Sequence, residues 1–254
     1  MRKLLITLAG VALLAGCGSS GTSSHKSAAT TPQISIPRAR SGGLTYHPKI
    51  DPAKFTNQVT NPYWPMRPGR TWVYDGVKDG APEHVVVTVK PETKTIMGVR
   101  CVVITDTVTA NGSLAEKTTD WYAQDSAGNV WYFGEDSKDY KNGVVVSTQG
   151  TWEAGVDGAQ PGIVAQAKPR RGPTYRQEYR PGVAEDMAKV IQVGAVERVP
   201  AGTFRDTIVT LDTDPLNPAK IEHKSYAPGV GPVHVKRQGS AHTEEIKLVK
   251  VIGR

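Results

Sequence analysis

Residues 83–133, EHVVVTVKPETKTIMGVRCVVITDTVTANGSLAEKTTDWYAQDSAGNVWYF, decide the fold class. β-Branched and aromatic residues come in runs of strand length, cut at Pro91-Glu92, Met97-Gly98, Asn111-Gly112 and Ala127-Gly128-Asn129. Asn111-Gly112 is the strongest hairpin signal, because both residues accept the positive φ that a type I′ turn needs. Asp125-Ser126-Ala127-Gly128-Asn129 is a second turn, joining Trp121-Tyr122 to Trp131-Tyr132. With a period of two, Trp121 and Ala123 share a face with one of Trp131 and Tyr132 across the turn.

Aligning the C-terminal half under this region extends the reading. PMRPGRTWVYDG (65–76) matches KPRRGPTYRQEYRPG (168–182) in its order of Pro, Arg, Gly, Thr and aromatic residues. HVVVTV (84–89) then corresponds to AKVIQV (188–193), and MGVRCVVITDTV (97–108) to AGTFRDTIVTLDT (201–213). Finally LAEKTTDWYAQDSAGNVWYF (114–133) corresponds to PAKIEHKSYAPGVGPVHVK (218–236). Matches at successive places in one order imply an internal repeat, with copies at about 60–145 and 165–250. The expected fold is all-β: two similar antiparallel units forming one curved sheet, open barrel or sandwich. Either unit alone would leave an exposed edge and an unburied face. The Gly- and Pro-dense GVDGAQPGIVAQA (155–167) reads as a long connecting loop.

The N-terminus speaks to address. Arg2 and Lys3 precede an apolar stretch, Leu4 to Leu14, of signal-peptide length and too short to span a bilayer. Leu14-Ala15-Gly16-Cys17 matches a bacterial lipobox, so residues 1–16 are expected to be a lipoprotein signal peptide. Cys17 is the expected lipid-attachment site, carrying diacylglycerol and an amide-linked acyl chain such as palmitate. Several acyl chains suffice for stable membrane anchoring. Residues 17–45, rich in Gly, Ser, Thr and Ala at their start, are expected to tether a β domain spanning 46–254. The protein is thus expected to be extracytoplasmic and anchored to the cell membrane. Cys101 is the one other cysteine, which leaves no intramolecular disulfide; its apolar run reads as strand core. The net charge is +7, or +5 once Arg2 and Lys3 leave with the signal, a balance that suits anionic lipid head groups or envelope polymers. No nucleic-acid motif is present, and none is expected at this address.

Catalytic patterns are thin. There is no Gly-x-Ser-x-Gly elbow, no His-Glu-x-x-His, no Ser-x-x-Lys with its companion motifs and no phosphate-binding Gly loop. The six His stand singly, and no metal site or cofactor is expected. Glu185-Asp186 is the best polar candidate, converging only if it lies in a turn. Trp121, Trp131, Tyr132, Trp152 and Tyr226 are candidate ligand- or partner-facing residues, because the first copy holds more rings than a hairpin requires.

WYAQDSAGNVWYFGE, PGIVAQAKPRRGPTYRQEYRPGVAEDMAKV and YAPGVGPV resemble segments of a group of bacterial secreted proteins and lipoproteins. In that group a strand ending in a Tyr-Ala-Pro-Gly-Val-Gly turn recurs. The resemblance implies a β-rich extracytoplasmic domain and brings no activity or site residues. In outline the chain is also similar to lipoprotein carriers that fold as an open half-barrel and hold acyl chains. The expected function is non-enzymatic binding of a lipid or other apolar ligand. An envelope protein-interaction or scaffold module is the alternative, and an uncommon hydrolase a more remote one.

Overall fold

The computed structural model describes residues 46–238 and 243–253. The expected signal peptide, Cys17 and tether lie outside the described residues. A short 3-10 turn, Pro52–Lys54, opens the fold, with Asp51 capping it through the backbone N–H of Ala53. Everything after it is strand and connection.

The first half runs β1 (Phe55–Thr56), β2 (Thr71–Lys78), β3 (Ala81–Ile96), β4 (Val99–Ala110), β5 (Ser113–Asp125) and β6 (Val130–Lys141). Short strands β7 (Val144–Ser147), β8 (Trp152–Glu153), β9 (Gln160–Ala165), β10 (Tyr175–Arg176) and β11 (Glu178–Tyr179) follow. The second half is β12 (Met187–Val199), β13 (Gly202–Asp214), β14 (Asn217–Ala227), β15 (Gly231–Gln238) and β16 (Glu244–Ile252). All the strands join one 16-stranded antiparallel sheet that curls into a nearly closed barrel with one seam.

Two four-stranded meanders, β3–β6 and β12–β15, make most of the wall, and the pairing of β16 with β2 joins them. The turn chemistry explains the register. Asn111 and Gly112 take φ of 51° and 74° between β4 and β5, as a type I′ hairpin demands. Around 125–129 the Asp125 side chain accepts hydrogen bonds from the N–H groups of Ala127 and Asn129, fixing the next hairpin. Ala123 then faces Trp131, and Tyr122 faces Tyr132, in the phase that alternation predicts.

Residues 155–167 depart from the expected loop: Gln160–Ala165 is strand β9, paired with β6 and β11. Gly162 is what permits it. A Cβ there would sit 2.4 Å from the backbone carbon of Gln177, so only glycine lets β9 and the chain before β11 approach this closely.

Large aromatic rings fill much of the buried core. Trp64, Trp72, Tyr74, Tyr122, Tyr132 and Tyr226 are all buried there, each large ring contributing on the order of 2 kcal/mol or more from burial alone. Trp64 comes from the 57–70 connection, which packs its ring against Tyr122 and Tyr226 at centroid distances of 5.5 and 6.1 Å. Buried ionisable side chains lie among these rings, in phase with valines. Val87, Asp106, Thr118 and Ser137 form one cross-strand row, and Val89, Ile104, Asp120 and Glu135 the next.

Candidate functional site

The Tyr226-Ala227-Pro228-Gly229-Val230-Gly231 turn, between β14 and β15, is gripped from the 60–72 segment. Pro62 O accepts a 2.7 Å bond from Gly229 N–H. Arg70 Nη2 donates to Gly229 O at 2.7 Å and Val230 O at 3.3 Å, while Trp72 Nε1 donates to Val230 O at 2.8 Å. Gly231, beside the rings of Trp64 and Trp72, has φ of +111°, a conformation that glycine adopts without strain. The turn is therefore a structural clasp between the second meander and the start of the first.

Beside the clasp lies an open groove of about 680 Å³, within the size range of small-molecule sites. It is lined by Thr60, Pro62 and Pro65, by Ala201 and Phe204 at the β12–β13 hairpin, and by Leu248 to Val251 of β16 with Gly253 after it. Ala201 N–H donates to Leu248 O at 2.9 Å, tying that hairpin to β16. Arg67, Arg70 and Lys250 also line the groove, and among the described residues no Asp or Glu does. Arg70 is nearly buried, its guanidinium 5.3 Å from the Trp72 ring centre. Arg67 and Lys250 are exposed. The arrangement is amphipathic: apolar walls with cations and no counter-charge.

The interior polar groups are of another kind. Asp106 is buried and its Oδ1 meets no hydrogen-bond donor. Burial, then the neighbouring Asp120, Glu116 and Glu83, push its pKa well above the usual carboxylate range. In the second meander burial opposes the charge of Lys224, yet Asp212 at 2.9 Å and Glu222 at 3.6 Å hold its ammonium above the ordinary lysine range.

The candidate residues from the sequence fall as follows. Trp121, Tyr132, Trp152 and Tyr226 are buried core. Lys94 Nζ lies 3.5 Å over the Trp121 ring and pairs with Glu153 at 2.7 Å. Tyr132 donates its O–H to Asp120 at 2.7 Å, stacks on Tyr122 at 4.8 Å, and meets the edge of Trp152 at 5.2 Å. Trp131 alone of the five is half-buried, its Nε1 donating to Asp125 at 2.8 Å. It lines a 240 Å³ pocket with Phe55, Lys49 and Lys54. Glu185 and Asp186 diverge. Glu185 accepts from Gly182 N–H in the turn, whereas Asp186 points inward to Lys220 at 2.8 Å. Burial and Asp214 raise the Asp186 pKa to about 6 against the pull of Lys220.

The histidines stay apart as well. His234 bridges Glu197 and Glu245 at 3.1 and 3.0 Å, and His223 stands opposite Lys236. Among the described residues no group of three His, Cys, Asp or Glu side chains could hold a metal ion. The groove was missed in the sequence because its residues come from four separate segments. Its one sequence trace is the Arg pair in PMRPGRTW.

No family model matches this chain, and no curated protein does either. Two solved structures overlap it loosely. One is a Bacteroides fragilis protein named a "putative exported protein with YmcC-like fold", 13% identical, with a TM-score of 0.44 over 75% of this chain and 99% of that one. The other is a "putative lipoprotein" from Parabacteroides distasonis, 15% identical, with a TM-score of 0.42 over 75% of this chain and 98% of that one. Overlap this loose brings no function across.

Proposed function

We infer that this protein is a membrane-tethered extracytoplasmic lipoprotein that binds a lipid or other apolar ligand without chemically changing it. The observation that carries the binding reading is the 680 Å³ groove, whose apolar walls are contributed by separate segments and held open by the Arg70 and Trp72 clasp. The lipobox at Leu14 to Cys17 and the Gly/Ser-rich stretch after it support the tether. Read as copies of one unit, the two meanders account for the barrel: each supplies half the wall, and the groove lies where their ends meet. An envelope interaction module would present exposed rings at Trp121, Trp131 or Trp152. Only Trp131 is even half-exposed.

The test is mass spectrometry of the full mature protein purified from its native membrane, with organic extraction of the folded chain. A stoichiometric apolar molecule, released on unfolding, is the expected result. A ligand-free protein that instead brings down one envelope partner in stoichiometric amount would move the function to protein interaction.

A further inference from the structure

We propose that the ligand of this groove is an amphiphile with an anionic head, its apolar part against Pro62, Pro65, Phe204 and Val251 and its head against Arg67, Arg70 and Lys250. The inference rests on the binding reading above and adds the chemical class of the ligand.

Charge carries it. Three cations line one open groove, and no carboxylate shares the lining. Among the described residues the Arg67 and Lys250 side chains make no ion pair, and each is exposed to an incoming ligand. Arg70 has only neutral partners: Nη2 bonds two backbone carbonyls, and its buried Nε meets no acceptor. Burial and the like charge of Arg67 both work against the Arg70 cation, so an anion placed between them relieves a repulsion that the folded chain leaves standing. The rest of the molecule points the same way. Buried acids outnumber buried cations, the latter being Arg70, Lys220, Lys224 and Arg237 among the described residues. Without Arg2 and Lys3 of the expected signal peptide the formal charge of +7 becomes +5, and with so many acids buried the exterior is more basic than that sum, which favours approach of anions.

Apolar and cationic surface meet in one place, so the ligand must present both characters. A free phosphate would leave the Phe204 and proline walls wet, and a neutral lipid would leave the cations unmatched.

The experiment uses the mature chain carrying Cys17→Ser, so that no acyl anchor competes for the groove. Binding is read by displacement of an apolar fluorescent dye, with two probes of the same acyl chain: a monoacylglycerol and its phosphate ester. Two exposed ion pairs and one sheltered pair should favour the phosphate ester by about tenfold in dissociation constant. The double variant Arg67→Gln, Lys250→Gln should abolish that preference while keeping the affinity for the monoacylglycerol. Inorganic phosphate should displace neither probe. Equal binding of both probes would overturn the anionic head and leave the groove intact as an apolar site. Binding of neither would overturn both readings. Displacement by inorganic phosphate alone would assign the cations to a free anion and overturn the amphiphile.

Discussion

Lys220 Nζ lies 2.8 Å from Asp186 Oδ2, and the two side chains are 2% and 4% exposed. A buried pair of this kind does not itself mark a strong stabiliser, because desolvation of both charges offsets their attraction. Removing one partner is different. Lys220→Met should cost about 3–5 kcal/mol, since it strands a carboxylate in the wall of the barrel. Adding Asp186→Leu should recover most of that loss. Urea unfolding of the single and double variants checks this, and a single variant within error of wild type would contradict it.

Asp106 should make stability fall with rising pH. Its folded-state pKa is raised, so above the unfolded value near 4 the unfolded chain ionises while the folded chain keeps its proton. Asp106→Asn should therefore be more stable than wild type at pH 7, with the difference vanishing below about pH 4. Thermal unfolding over that range is the measurement. A variant destabilised equally at every pH would mean that the carboxyl is held by bonds that Asn cannot make.

Cys101 is buried in β4, and burial pushes its thiol to about 12. Only thiolate attacks alkylating reagents. Iodoacetamide at pH 8 should leave Cys101 unmodified in the folded protein and label it fully in denaturant, read by intact mass. Labelling of the folded chain on the timescale of a free thiol would show that the β3–β4 region opens.

Gly76 sits on β2 opposite Ile246 of β16, where the two meanders meet. A Cβ there would fall 2.1 Å from Glu245 O and 2.5 Å from the Ile246 side chain. Gly76→Ala must push the two halves apart, at a cost of about 1–3 kcal/mol from overpacking. Denaturant midpoints measure it; an unchanged midpoint would mean that the junction is soft.

The legible part of this chain is what repeats at a period of two. Asn111-Gly112 announced its hairpin because only certain residues accept its dihedrals, and the alternation around Trp121 and Trp131 gave the correct facing. Even the interior acids leave a trace: Asp106 falls in phase with Ile104 and Val108, so an apolar stripe carries a carboxyl. Strand β9 was hidden by its own Pro161 and Gly162, residues that usually end strands and here permit a close approach. The groove was hidden because it has no local pattern. Arg67, Ala201, Val230 and Lys250 meet only after the barrel closes, and a cation pair such as Arg67 and Arg70 looks like ordinary surface until its neighbours are known.

The groove's occupancy is tested most directly by photo-crosslinking. A diazirine-bearing single-chain lipid, added to the full mature chain below its aggregation concentration, is cross-linked and the labelled residues are mapped by peptide mass spectrometry. Labels should fall in the segments 60–70, 201–204 and 248–253, and Ala201→Trp, which fills the groove, should remove them. Labels confined to Phe55 and Trp131, or unchanged by Ala201→Trp, would contradict the groove as the binding site.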